Sequence, residues 1–228
     1  MLVAMIRPNF ESYGATFNED VPPLPPTELL EKRRAWRAGE VVRSEVVAIG
    51  TIALAGDESW VLKRNLYGAN FGYIHPKSEL GQAFKHVSTG LWLMARYDMS
   101  RAGADLQTDS LMHGGYFRGS TDNAPWHTNT DTDPTWLYTV VHGAGPTRGL
   151  KGTMSRDDIV TGRSKDMGYF RPEVPIGPGQ RLEPVDFPPG TVLRYTIDGH
   201  ASGDTTGLRL LTQTKVVLPP SIEAAPNA

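Results

Sequence analysis

Residues 125–131 read PWHTNTD and precede the apolar run WLYTVV at 136–141. A β-strand sends every second side chain to the same face. If this stretch is extended, His127, Asn129 and Asp131 all point the same way. An imidazole beside amide and carboxylate oxygens is suited to holding a metal ion. Such a site needs a second histidine from elsewhere in the chain.

The composition favours one globular domain that is mainly β. The 228 residues suffice for one large core, and 24 Gly with 18 Pro favour short strands joined by turns over a helical bundle. The 23 basic and 25 acidic residues give a net charge of −2, which provides no general attraction for nucleic acid or an anionic membrane. The chain has no cysteine, so any metal must bind nitrogen and oxygen ligands.

The sequence contains no apolar run that approaches the ~20 residues of a membrane span. Residues 1–6 are apolar, but Arg7 ends that run. We therefore expect a cytoplasmic protein, a monomer or homodimer, with no membrane or nucleic-acid partner. Within a single domain 1–228, we expect helices and supporting strands over 1–90, a β core over 91–218 and a frayed tail over 219–228.

Local patterns predict the individual elements. A helix is predicted between Thr27 and Gly39, and a second over 74–87. Strands are predicted where β-branched and aromatic residues cluster, at 41–54, 59–62, 91–97, 136–142, 191–197 and 207–217. Residues 148–180 lack periodicity and predict a long functional loop or lid. Its six basic residues suit an anionic ligand or, alternatively, a solvated loop.

The second histidine is His200, which follows the predicted strand 191–197. Together with His127 and a carboxylate, it would complete the two-histidine, one-carboxylate ligand set of non-haem Fe(II). A chain with six histidines also produces such pairs by chance. From these residues alone, hydrogen-bonded structural histidines therefore remain an alternative.

The order of these features resembles the Fe(II)/2-oxoglutarate-dependent oxygenase superfamily. The resemblance covers residues 91–217 and is carried by the run 91–97, Pro125-Trp126-His127, the turn and strand 188–193, His200 and Arg209. It implies a double-stranded β-helix, which is a jelly-roll or cupin-like fold, with a few flanking helices in the N-terminal half. It also implies Fe(II) and 2-oxoglutarate as cofactors, and hydroxylation of a small-molecule or amino-acid-like substrate.

The resemblance also implies roles for individual residues. His127 and His200 would bind iron, and Arg209 would hold the far carboxylate of 2-oxoglutarate. We expect Tyr138 to assist in cofactor binding. The residues expected to contact substrate are Tyr116, Arg118 and Trp126.

This chain departs from the family pattern at the carboxylate ligand. The superfamily has His-x-Asp or His-x-Glu, whereas this sequence has Asn129 two residues after His127. Asp131 lies on the same face of an extended strand and restores the carboxylate, so we favour it as the third ligand. Asn129 as a weak ligand, or a site that has lost iron, are the alternatives.

Two other functions compete with the oxygenase. One is a cupin-like metal enzyme that uses His127, His142 and His200 without 2-oxoglutarate. The other is a metal-free jelly-roll protein that binds a ligand. A serine hydrolase and a nucleotide-binding fold are not indicated, because the sequence lacks a Gly-x-Ser-x-Gly elbow, a Walker loop and a dinucleotide fingerprint.

Overall fold

The structure is a computed structural model. It describes residues 6–54, 71–73, 79–104, 112–118, 126–128, 136–143, 145–161, 168–197, 199–202 and 208–216. Two α-helices lie in these ranges, α1 (Pro26–Arg37) and α2 (Glu79–Arg101). Short 3-10 turns occur at Phe10–Tyr13 and Arg156–Asp158.

The described residues also form fourteen strands. The first seven are β1 (Ala15–Phe17), β2 (Val42–Ser44), β3 (Val46–Ile52), β4 (Phe71–Tyr73), β5 (Met112–Arg118), β6 (His127–Thr128) and β7 (Trp136–Gly143). The others are β8 (Thr147–Met154), β9 (Ile159–Thr161), β10 (Gly168–Phe170), β11 (Leu182–Phe187), β12 (Thr191–Tyr195), β13 (His200–Ser202) and β14 (Leu208–Val216).

The strands form two antiparallel sheets. The major sheet has the order β1-β3-β12-β7-β14-β5-β4, and the minor sheet has the order β11-β8-β13-β6-β10-β9, with β2 also paired to β8. Along the chain, β5, β6, β7 and β8 alternate between the sheets, and so do β11, β12, β13 and β14. This alternation gives one four-strand layer, β12-β7-β14-β5, opposite another, β11-β8-β13-β6. The fold is a double-stranded β-helix, as predicted.

Helix α2 covers the outer face of the major sheet. Its apolar residues recur at helical spacing and are buried against Tyr138, Val140 and Val192 of the sheet. The helix residues in that core are Val87, Leu91, Met94, Ala95 and Met99. The N-terminal strands β1 and β3 extend the same sheet.

The prediction of a strand over 91–97 is wrong, because these residues belong to α2. A seven-residue apolar and aromatic run is too short to distinguish a strand from a buried helix. The helix predicted over 74–87 is confirmed from Glu79 onward, and residues 74–78 lie outside the described residues. Helix α1 is confirmed, although it begins at Pro26 rather than after Thr27.

The prediction of a long loop over 148–180 is also wrong. The region contains most of β8, all of β9 and β10, and a 3-10 turn. The sequence did not predict these strands, partly because glycines stand where the backbone packs closely against other segments. A Cβ on Gly149 would lie 2.8 Å from Val46 Cγ2, and one on Gly152 would clash with the carbonyl oxygen of Arg181. Packing therefore requires residues of low strand propensity there.

The other strand predictions agree with the structure where it describes them. The predicted strands over 41–54, 136–142, 191–197 and 207–217 correspond to β2 with β3, β7, β12 and β14. Residues 59–62 lie outside the described residues. Gly190, in the predicted turn before β12, has a φ of 83° that suits glycine. In the described part of the chain, neither helix is long and apolar enough to cross a membrane.

Candidate functional site

Strands β6 and β13 place His127 and His200 side by side. The two residues are direct partners in this antiparallel pair. Their ring centroids lie 4.3 Å apart, with the ring planes at 58°. Both side chains are half-buried. The structure therefore brings together the two histidines that the sequence singled out.

The two histidines face the space between the sheets. The Tyr195 ring lies 6.4 Å from the ring of His200, measured between centroids. Tyr195 itself is buried with Leu137 and Leu193 of the major sheet and packs against Phe187 of the minor sheet. On the other side, Tyr169 of β10 is the direct partner of His127, and their ring centroids are 6.3 Å apart. Aromatic rings thus flank the histidine pair on both sides.

Arg209 reaches the same interior from β14. It is 1% exposed, and its Nη2 donates a hydrogen bond to Thr147 Oγ1 at 2.8 Å. Thr147 is paired with Ser202, two residues from His200 on β13. Residues two apart on a strand share a face, so Thr147, Ser202 and His200 lie on the same face of the minor sheet. Arg209 therefore hydrogen-bonds to the sheet face that carries His200.

The guanidinium of Arg209 is buried away from water. Burial lowers the pKa of its guanidinium to about 10, an effect that nearby Tyr195 opposes. The group therefore remains a cation at neutral pH. A buried guanidinium with fixed orientation is suited to holding a carboxylate through two hydrogen bonds.

The histidine pair fits a shared metal ion. Imidazole nitrogens bind first-row metals at about 2.1 Å, so two such ligands on one ion bring their rings into close proximity. The centroid separation of 4.3 Å agrees with that arrangement. Within the described ranges, no cluster of three or more His, Asp, Glu or Cys forms. Both proposed third ligands, Asn129 and Asp131, lie outside those ranges.

The structure places Tyr138 away from this interior. Tyr138 is paired with Thr214 and Arg209 with Gly143, which puts positions 138 and 209 on opposite faces of the major sheet. The Tyr138 hydroxyl donates a hydrogen bond to Asp98 of α2 at 2.8 Å. Its expected role in cofactor binding does not fit this position.

Trp126 also lies on the other side of its sheet. Its side chain packs against the cluster of Trp36 and Phe170, beneath α1 on the outer face of the minor sheet. Alternation along the strand explains this, since the next residue, His127, faces the interior. The expected substrate contact from Trp126 therefore does not fit the structure.

His142 does not join the histidine pair. It is 1% exposed, and its Nε2 lies 2.7 Å from the carbonyl oxygen of Ile52. It is paired with Leu210, so it occupies the opposite face of the major sheet from Arg209. The three-histidine cupin-like site is therefore not assembled. For Tyr116 and Arg118, the structure describes only the backbone of β5, where they pair with Leu210 and Leu208.

Three residues near the site were missed by sequence reasoning: Thr147, Tyr169 and Tyr195. Tyr195 was detectable, because strand alternation from Leu193 places both on one face. Tyr169 lies within the region predicted as a loop, and Thr147 directly precedes it, so no strand alternation was assigned to either. Tyr169 contacts His127, and Thr147 contacts Arg209; both contacts join segments that are distant in the sequence.

Comparisons with known proteins found no matching family model and no matching curated sequence. Among solved structures, the chain is similar to a prolyl hydroxylase from Trichoplax adhaerens in complex with a hypoxia inducible factor oxygen degradation domain peptide fragment. The TM-score is 0.40 with 13% identity, over 96% of this chain and 90% of that chain. It is also similar to E. coli ycfD, with a TM-score of 0.31 and 11% identity, over 90% of this chain and 49% of that chain. Both similarities are distant, and the strand order alone establishes the fold.

Proposed function

We propose that the protein is a non-haem Fe(II)/2-oxoglutarate-dependent oxygenase that hydroxylates a small-molecule or amino-acid-like substrate. The observation that carries the proposal is the contact between the His127 and His200 rings across β6 and β13, within a fold that also buries Arg209. Two neighbouring imidazoles and a buried cation fit a metal and a dicarboxylate together.

In this proposal, His127 and His200 supply two iron ligands and Asp131 supplies the third, with Asn129 as the alternative. A carboxylate compensates the charge of Fe(II) better than an amide does, which favours Asp131. When bound, Fe(II) with 2-oxoglutarate would activate O2, which is the oxidant both for hydroxylation of the substrate and for conversion of 2-oxoglutarate to succinate and CO2. The rings of Tyr169 and Tyr195 flank the histidine pair and give one wall of the site an aromatic surface.

Arg209 would bind the carboxylate of 2-oxoglutarate that lies farther from iron. Its burial strengthens an ion pair with that carboxylate, because little water competes for either charge. Thr147 holds the guanidinium by accepting one of its hydrogen bonds, and so it orients the remaining donors. Positions 116 and 118 pair with Leu210 and Leu208 and so share the sheet face of His142 rather than that of Arg209, and the proposal therefore gives them no part in substrate binding.

Conversion of 2-oxoglutarate to succinate tests this function. We expect succinate formation to require both Fe(II) and oxygen, and to be abolished in His127→Ala and in His200→Ala. Arg148→Ala is a suitable control, because Arg148 is an exposed partner of Asp186 on β11 rather than of the site. Unchanged succinate formation in both histidine variants would contradict the proposal.

A metal-free binding protein is the second candidate, and Asn129 is the observation that favours it. If the site has lost iron, the purified protein will bind 2-oxoglutarate or a similar dicarboxylate through Arg209 without any metal. Calorimetric titration in the presence of a chelator separates the two candidates. The oxygenase predicts a large loss of affinity under chelation, whereas the binding protein predicts none.

A further inference from the structure

An arginine-lined groove lies on the outside of the fold, away from the histidine pair. It is an open cavity of about 470 Å³ between the C-terminal end of α1 and the start of β9. Its cations come from three separate segments: Arg37 from α1, Arg156 from the 3-10 turn and Arg171 after β10. All three side chains are exposed.

The groove carries an excess of positive charge. Three arginines line it, against Asp157 as the acidic residue among its lining residues. The neighbouring Asp158 does not compensate this charge, because its carboxylate is engaged by Arg181 Nη2 at 2.6 Å and by the backbone nitrogen of Ser155 at 2.6 Å. Each of those partners lies outside the groove lining.

Backbone hydrogen bonds position Arg171 and the turn that carries Arg156. Arg171 Nε donates a hydrogen bond to the carbonyl oxygen of Asp157 at 2.6 Å, and the Arg171 backbone nitrogen donates to the carbonyl oxygen of Asp158 at 2.9 Å. Ser155 and Asp158 form a capping box that stabilises the turn carrying Arg156. Partly ordered cations lose less side-chain entropy when they bind an anion.

A sheet edge borders the groove. Strand β9 ends the minor sheet, and in the part of the chain that the structure describes it pairs with β10 alone. Ile159 of β9 lines the groove, and the next residue, Val160, is 37% exposed. The outer backbone groups of an edge strand can hydrogen-bond to an extended chain.

We propose that this groove binds an extended acidic segment of a partner polypeptide, whose carboxylates pair with Arg37, Arg156 and Arg171. The groove is open and is bordered by the edge strand β9, so it accepts a chain as well as a single anionic group. An extended chain can pair with several cations and lie along β9 as well. This site is independent of the proposed oxygenase function, and each can fail without the other.

Fluorescence anisotropy with a labelled synthetic peptide tests the proposal. The probe is about eight residues of alternating Glu and Ser, long enough to span the groove at ~3.3 Å per residue. We expect saturable binding to the full chain at low ionic strength, and weaker binding as salt is added. Arg156→Glu should weaken binding about tenfold, because it removes an attraction and adds a repulsion.

Matched variants distinguish this groove from general surface charge. Arg156→Lys keeps the charge and should retain most of the binding. Arg43→Glu reverses another exposed arginine, outside the groove, and should have no effect. The proposal is overturned if the peptide does not bind, if Arg43→Glu weakens binding as much as Arg156→Glu, or if a peptide with Gln in place of Glu binds equally well. It is also overturned if citrate, a compact anion, binds the groove as tightly as the Glu peptide.

Discussion

Asp98 is predicted to fix helix α2 to the major sheet through a buried ion pair. Its carboxylate is 2% exposed and accepts hydrogen bonds from Arg194 Nη1 at 2.7 Å and from the Tyr138 hydroxyl at 2.8 Å. Arg194 is 5% exposed, and its Nη2 donates to the carbonyl oxygen of Pro22 at 2.9 Å. Asp98→Asn keeps the shape of the side chain but leaves the buried guanidinium without its counter-ion.

The expected cost follows from this burial. Removing one partner of a buried ion pair typically costs about 3–5 kcal/mol. The amide introduced by Asp98→Asn would still offer one oxygen acceptor, so we expect the lower end, about 3 kcal/mol. Domains have a free energy of unfolding of about 5–15 kcal/mol, so this is a large fraction of the total. For a chain of this size, it corresponds to a melting temperature lower by roughly 10 °C.

Urea unfolding followed by tryptophan fluorescence measures the effect. The control is Asp186→Asn, which removes the charge from the surface pair of Asp186 and Arg148, whose side chains are 52% and 37% exposed. An exposed pair contributes about 0–1 kcal/mol, so the control should be nearly neutral. If both variants lose less than about 1 kcal/mol, the buried pair does not hold the helix as described.

The remaining predictions concern the proposed site and its surroundings. Arg209→Lys should raise the KM for 2-oxoglutarate by about 10–100-fold in the succinate assay, because a lysine cannot form a bidentate pair; an unchanged KM would contradict its role. Asp131→Asn should abolish Fe(II) binding in equilibrium dialysis while Asn129→Ala leaves it intact, and the reverse result would assign the ligand to position 129. Burial, and secondarily the charge of Asp98, raise the pKa of Tyr138 well above 10.0. Its stabilising effect is therefore fully present below pH 10 and is lost as the pH rises through the raised pKa. Thermal unfolding should show a larger alkaline loss of stability in the wild type than in Tyr138→Phe; identical alkaline curves would contradict the assignment.

The sequence predicted those parts of the fold whose signals are local. β-branched and aromatic residues after a Pro-Gly turn predicted β12, and the long β-rich run 207–217 predicted β14. Residues 91–97 of helix α2 were mistaken for a strand, because this aromatic run by itself resembles one. Its helical spacing is visible only when Val87 and Met99 are included. Strand β8 was missed, because Gly149 and Gly152 are required by contacts with Val46 and Arg181 from distant segments.

The site residues likewise divide into those that the sequence predicted and those whose position depends on contacts between distant segments. Residue type and order pointed to His127 and His200, and the resemblance to the oxygenase superfamily implied Arg209. The structure places the two histidines in contact and buries the arginine in the same interior. Which face a neighbour occupies depends on register, which the sequence did not specify. Tyr138 therefore lies under α2 instead of beside Arg209, although it stands in the strand directly after His127.

Anaerobic titration of the protein with Fe(II) and 2-oxoglutarate tests the central claim most directly. If His127 and His200 bind iron beside a 2-oxoglutarate held by Arg209, a weak visible charge-transfer band will develop and saturate. The band should be absent in His200→Ala and require a higher 2-oxoglutarate concentration in Arg209→Lys. Iron binding shown by equilibrium dialysis without any such band would contradict the oxygenase proposal.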